Sequence, residues 1–187
     1  MSILDGQFSN KEEMEGAMAF AQTMLADAMP NLDPGMRGLI EATQDGASLG
    51  DVLGITKDQK QALLDYGCGL IQSGEMEKAA DVLLQLSALD PLEERAKYAL
   101  GVICQLRGEL HKAAQLYLQF LALDATNPLG YLRLGECLMS AREYAEARSA
   151  FEMAQGLAAD GHGQPGNREE AEKMLSMPEI ASAVTKQ

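Results

Sequence analysis

The chain has 187 residues and a net charge of −13, with four Phe, five Tyr and no Trp. A chain of this length fits one domain with a real core. Its acidity disfavours polyanionic partners, so the sequence predicts neither nucleic-acid binding nor docking on an anionic lipid surface. No apolar run approaches the length of a membrane span, and residues 1–11 lack the charged-then-apolar order of a signal peptide. The expectation is a cytoplasmic protein without stable membrane insertion. Cys68, Cys104 and Cys137 stand at no metal-like spacing and read as small core residues in a reducing compartment.

Residues 1–9 show no periodicity. Ser9 and Glu12 match a capping box, in which two side chains satisfy amides at a helix start. From there Met14, Ala17, Met18, Ala21, Met24, Leu25 and Ala28 recur at three and four, one apolar stripe of a helix that Pro30 ends. Methionine adapts to irregular partners, which makes Met14, Met18, Ala21 and Leu25 candidates for a dimer contact; packing on the chain's own core is the alternative. Asp33-Pro34 opens a short helix predicted over 35–43. Residues 48–53 add a further turn, and Thr56 with Gln59 forms another capping box.

From residue 60 the chain is periodic. Gly67, Gly101 and Gly135 are 34 residues apart, as are Ala79, Ala113 and Ala147, Leu89, Leu123 and Leu157, and Leu83, Tyr117 and Phe151. A 34-residue step with a small residue early, Ala near the middle and an aromatic soon after is the signature of tetratricopeptide repeats. The fold class implied is all-α, a helical solenoid of three repeats with an N-terminal helical leader and a C-terminal capping helix. The leader takes 1–59, the repeats 60–93, 94–127 and 128–161, and a loop, capping helix and frayed tail 162–187. Helices are predicted over 58–72 and 76–88, 92–106 and 110–122, then 128–140 and 144–158. The turns fall at Ser73-Gly74, Arg107-Gly108 and Ala141-Arg142; Arg142 in place of the turn glycine of the other two copies costs little if no positive φ is needed there. The glycine-rich run 160–167 is a loop: it follows a helix and lacks the Lys and Ser/Thr of a phosphate cradle. Asn167 and Glu170 are expected to cap a last helix, with the chain fraying after Pro178.

The first helix of each repeat is apolar on two sides. One side builds the solenoid: Leu63, Tyr66, Gly67 and Leu70; Leu100, Gly101 and Cys104; Tyr131, Leu134, Gly135 and Leu138. The second comprises Leu64, Cys68 and Ile71; Tyr98, Val102 and Leu106; Leu129, Leu132 and Met139. First helices line the concave surface of such arrays, so this second set is expected to line an apolar groove for another chain. The alternative is that the chain's own N-terminal segment or last helix fills it.

The sequence also resembles one family closely. Gly-Ala-Ser-Leu-Gly-Asp-Val-Leu-Gly-Ile-Thr at 46–56 precedes the adjoining repeats, as in the class II chaperones of bacterial type III secretion. The match runs on through Gln72-Ser-Gly74, Ala79, Leu100-Gly101, Gln105, Gly108, Gly135-Glu-Cys-Leu138 and Ala154-Gln155, covering about 45–158. The resemblance implies a cytoplasmic binder of one or two hydrophobic translocator proteins, holding an extended segment in its groove. It also implies dimerisation through the N-terminal helix and, in some members, action with a transcriptional activator. Position by position it places cargo contact on Leu64, Cys68, Ile71, Tyr98, Val102 and Gln105. The family usually has aromatics where this chain has Leu64, Cys68 and Ile71, which implies anchors of another shape.

No catalytic set emerges and no cofactor is implied. His111 and His162 lack partners at metal-ligand spacing, and no hydrolase, zinc-protease or nucleotide-binding motif is present. Glu75, Glu77, Glu93 and Glu94 fall at turns or helix ends, where solvation explains them. Two other readings stay open: a tetratricopeptide scaffold for a soluble partner, and a transcriptional co-regulator. A scaffold gripping acidic tails needs a basic groove, and this one offers Arg95 but also Glu136.

Overall fold

Two reciprocal side-chain exchanges begin the helical array. The computed structural model describes residues 46–183 continuously, with five isolated positions before them. Ser48 Oγ accepts from the Asp51 amide at 3.1 Å while the Asp51 carboxylate accepts from the Ser48 amide at 3.0 Å. The short α1 (Leu49–Val52) comes next. Thr56 and Gln59 repeat the exchange at 3.3 and 2.8 Å and open α2 (Lys57–Gln72). Each box satisfies amides that a helix start leaves without partners.

The chain then runs through α3 (Met76–Leu89), α4 (Glu94–Leu106), α5 (Leu110–Leu123), α6 (Pro128–Ser140) and α7 (Tyr144–Ala159). These pack as the hairpins α2–α3, α4–α5 and α6–α7, stacked through α3–α4 and α5–α6. The result is an all-α repeat solenoid. The helix bounds lie within two residues of the predicted ones. At α4 the start moves to Glu94, because Glu93 takes the capping position and its side chain accepts from the Arg95 amide.

The periodic columns have a steric cause. A Cβ added to Gly67, Gly101 or Gly135 would fall 2.8, 2.7 or 2.5 Å from the side chains of Leu83, Tyr117 and Phe151. Those three side chains are fully buried, as are Ala79, Ala113 and Ala147. Each glycine therefore admits the large side chain of its own hairpin partner.

The third turn does need a positive φ. Arg142 adopts φ 64°, matching φ 82° at Gly74 and 74° at Gly108. All three hairpins close alike: the amides of Glu75, Glu109 and Glu143 donate to the carbonyls of Leu70, Cys104 and Leu138 at 2.9 Å. That closure requires a left-handed residue one position earlier, whatever its side chain.

The C-terminal end differs from expectation twice. Gly166, with φ 99°, precedes α8 (Asn167–Leu175) and gives no side-chain cap. Asn167 Oδ1 instead turns back to accept from the Gln164 amide at 2.7 Å, holding the glycine loop. As far as Ala183, the last described residue, the tail expected to fray is held in place: Pro178 opens α9 (Pro178–Ala181), and Ile180 is fully buried. Arg148 Nη1, from α7, donates to the carbonyls of Ala181 and Ala183 at 3.1 and 3.0 Å. Helices α8 and α9 together cover α7, the last helix of the array.

At the other end Lys60 joins three elements. Its ammonium donates to Ser48 Oγ at 3.1 Å, Asp51 Oδ1 at 2.8 Å and Asp90 Oδ2 at 3.0 Å, using all three protons. The capping box expected at Ser9 and the Met14–Ala28 stripe lie outside the described residues. So does the helix predicted over 35–43, apart from Gly38 and Ala42, both helical. Among the described residues no helix is long and apolar enough to cross a membrane.

Candidate functional site: the face of the first helices

Helices α2, α4 and α6 lie side by side as the first members of the three hairpins, and the predicted site residues sit on them. Cys68 and Ile71 on α2, Tyr98, Val102 and Gln105 on α4, and Leu129 and Met139 on α6 are half-buried. Each packs one side on its neighbours and leaves the other accessible. Leu106 is 64% exposed.

Two expected members of this wall are not on it. Leu64 is 4% exposed and Leu132 1%. Leu64 packs in one core with Ala96, Ala99 and Leu100 of α4, and Leu132 packs with Tyr117, Phe120 and Leu121 of α5. Both belong to the seams between repeats, Leu64 beside the small Ala96 and Ala99 of the next helix and Leu132 among the aromatic and aliphatic side chains of α5. Tyr66 errs the other way: its spacing puts it on the solenoid-building side, but it is 58% exposed. Its counterparts one and two periods later, Leu100 and Leu134, are buried, where the second helix of a preceding hairpin packs. Among the described residues the first hairpin has no such predecessor. The dimer candidates Met14, Met18, Ala21 and Leu25 lie outside the described residues.

The face is less uniformly apolar than the sequence suggested. Glu136 is joined by Arg133, whose Nη1 donates to both carboxylate oxygens at 2.9 Å. Gln105 Nε2 donates to Glu136 Oε2 at 2.8 Å, bridging α4 to α6. The Tyr117 hydroxyl donates to Gln105 Oε1 at 2.8 Å, and Arg133 Nε donates to the Tyr98 hydroxyl oxygen at 3.3 Å. Burial pushes the Tyr117 phenol well above its ordinary range, so it remains a donor at neutral pH. Sequence reasoning missed Arg133. The available signal was its i,i+3 spacing to Glu136, which puts opposite charges together on a helix.

Arg95 is not free to grip an acidic tail. Its Nε pairs with Glu93 at 2.7 Å and its Nη1 with the Gln61 amide oxygen at 2.9 Å. The cysteines are unpaired. Burial pushes the Cys137 thiol up to about 12 and raises Cys68 and Cys104 as well, so all three stay protonated and unreactive at neutral pH. Among the described residues no group of three or more His, Cys, Asp or Glu side chains could hold a metal.

A protein-family model described as Tetratricopeptide repeat matches residues 64–128 and again 107–162, together more than half the chain. The chain belongs to the tetratricopeptide-repeat family. Within this family the array is similar to the Yersinia enterocolitica type III secretion translocator chaperone SycD. That match has 28% identity and a TM-score of 0.63, over 73% of this chain and 98% of SycD. A type III secretion complex from Aeromonas hydrophila matches at 27% identity and TM-score 0.67, over 79% of this chain and 95% of that one. PcrH bound to the chaperone-binding region of PopD matches at 26% and 0.61, over 69% and 93%. No curated protein matches the sequence. The solved structures it resembles include the translocator chaperone SycD, alone and with a peptide of the translocator YopD.

Proposed function

We propose that this chain is a cytoplasmic chaperone of a bacterial type III secretion system. It takes hydrophobic translocator proteins on the face of its first helices and keeps them soluble and fit for export. The observation that carries this reading is the row of half-covered apolar side chains on α2, α4 and α6, on an array similar to SycD along nearly all of that chaperone's length. Related solved complexes support it: SycD with a peptide of the translocator YopD, and PcrH with chaperone-binding regions of PopD and PopB. Leu64 and Leu132 act as the floor of the site, while Cys68, Ile71, Tyr98, Val102, Leu106, Leu129 and Met139 supply the wall. Gln105 serves through its bridge to Glu136.

The test is co-expression with the hydrophobic proteins encoded beside the gene, followed by purification through the cargo. The chaperone should rescue the solubility of a cargo that aggregates alone; a scaffold for soluble partners would not. Val102→Glu with Leu106→Glu should abolish co-purification while helical circular dichroism persists, because a cargo side chain would have to bury an unpaired carboxylate. Leu132→Glu is unsuitable, since it would wreck the seam between repeats. Continued capture by the double variant would place the site elsewhere.

A further inference from the structure

We propose that Tyr98 and Arg133 together read one main-chain carbonyl of the bound segment and so fix its register; the inference rests on the carrier reading above. Donor accounting leads there. Of the five N–H groups of Arg133, Nε is spent on the Tyr98 oxygen and Nη1 on Glu136. Nη2 meets no acceptor among the described residues, and the side chain is 32% exposed. Nη2 shares an edge of the guanidinium with Nε, so one of its free protons lies beside the Tyr98 hydroxyl. The Tyr98 oxygen accepts from Arg133, while its own proton has no acceptor among the described residues.

Each carboxylate oxygen of Glu136 already holds a donor, and Gln105 Oε1 takes the Tyr117 proton. The unpaired hydrogens nearest the Tyr98 oxygen, on Arg133 Nη2 and on Tyr98 itself, are donors. Arg133 and Glu136 cancel in charge, and the chain as a whole carries −13. A cargo carboxylate therefore gains little here, and a neutral carbonyl is the better complement. Helical cargo has its carbonyls paired internally, whereas an extended segment presents them unpaired.

The position is also rigid and apolar on its flanks. The Tyr98 ring lies 5.8 Å from Tyr117 and 5.4 Å from Phe120, both tilted and both buried. Val102 and Leu129 stand one helical turn from Tyr98 and Arg133, ready to take side chains beside the bound carbonyl. Donors held in place by packing lose little freedom on binding.

The probe is a synthetic version of the YopD peptide that SycD binds, titrated calorimetrically into the full-length protein. Replacing its amides by esters one at a time weakens each carbonyl as an acceptor without touching the protein. One ester position should weaken binding about fivefold, and Tyr98→Phe should weaken binding of the parent peptide similarly. The same ester should then have a smaller effect on Tyr98→Phe than on the wild type, as coupling between the two groups requires. Arg133→Lys, which keeps the charge pair but loses the fork, should behave like Tyr98→Phe. A flat ester scan with measurable wild-type binding would overturn this proposal and leave the carrier reading standing. No binding of the peptide while full-length cargo is still captured would overturn this proposal alone; failure to capture full-length cargo as well would overturn both. The ester scan needs no variant, so a misfolded substitution cannot mask the answer.

Discussion

Arg142 is held at φ 64° in a turn where the two preceding copies place glycine. A side chain in the left-handed region costs about 1–2 kcal/mol, and glycine gives back about 0.5–1 kcal/mol through its freer unfolded chain. Arg142→Gly should therefore stabilise the protein by about 1 kcal/mol, raising the melting temperature by about 3 °C. Thermal unfolding followed at 222 nm checks this; a lower melting temperature would show that Arg142 makes a compensating contact. The residue also marks a limit of sequence reading. The 34-residue period aligns Arg142 with two turn glycines, yet residue type alone suggests a different backbone. The geometry is dictated by hydrogen bonds at 2.9 Å from Glu143 to Leu138, not by the residue that has to endure it.

Among the elements, the join made by Lys60 has a pH signature. Hydrogen bonds from Lys60 first, then from Ser48, hold the Asp51 carboxyl down to about 2, from an ordinary value of 3.8. Lys60 is raised above 10.5 by Asp51 and then Asp90. For Asp51 the folded value lies below the unfolded one, so its contribution is present above about pH 4 and is lost as pH falls towards 2. For Lys60 the folded value lies above, so its contribution is present below about pH 10 and lost at more alkaline pH. The stability gap between wild type and Asp51→Asn should be constant from about pH 5 to 9 and close between about pH 4 and 2. Urea unfolding across that series reads it. A gap unchanged at pH 2.5 would mean that the charge pair contributes nothing. Asp51 is half exposed, so added salt should narrow the gap throughout.

The repeat hairpins and the Thr56–Gln59 capping box were legible because each is a local rule: spacing, cap residues and small residues at fixed offsets. The covered and open sides of α2, α4 and α6 were not. A helical wheel shows that Leu64 and Leu132 share a side with Cys68 and Leu129. It does not show that Ala96 and Ala99 let α4 close over Leu64. Arg148 is similar, because its partners Ala181 and Ala183 are more than thirty positions away and are backbone carbonyls, which no side-chain pattern announces.

At the scale of the molecule, the apolar area on one face limits what a short segment can achieve. Three apolar anchors at about 2 kcal/mol each give about 6 kcal/mol, against at least about 4 kcal/mol lost on association. Leu64 and Leu132, already buried in the seams, add nothing to that margin. A short segment should bind weakly, and secure retention needs further surface under the cargo. The second helices offer some: Leu84, Leu118 and Met153 are exposed, and Leu84 borders a cleft of about 350 Å³ with Ala80 and Leu116. A cargo long enough to reach beyond the first-helix face should therefore bind at least about a hundredfold more tightly than its short motif. Calorimetry with nested cargo fragments against the full-length protein measures the difference. Equal affinity for motif and full cargo would mean that one face supplies the whole binding energy, and that the exposed leucines of the second helices take no part.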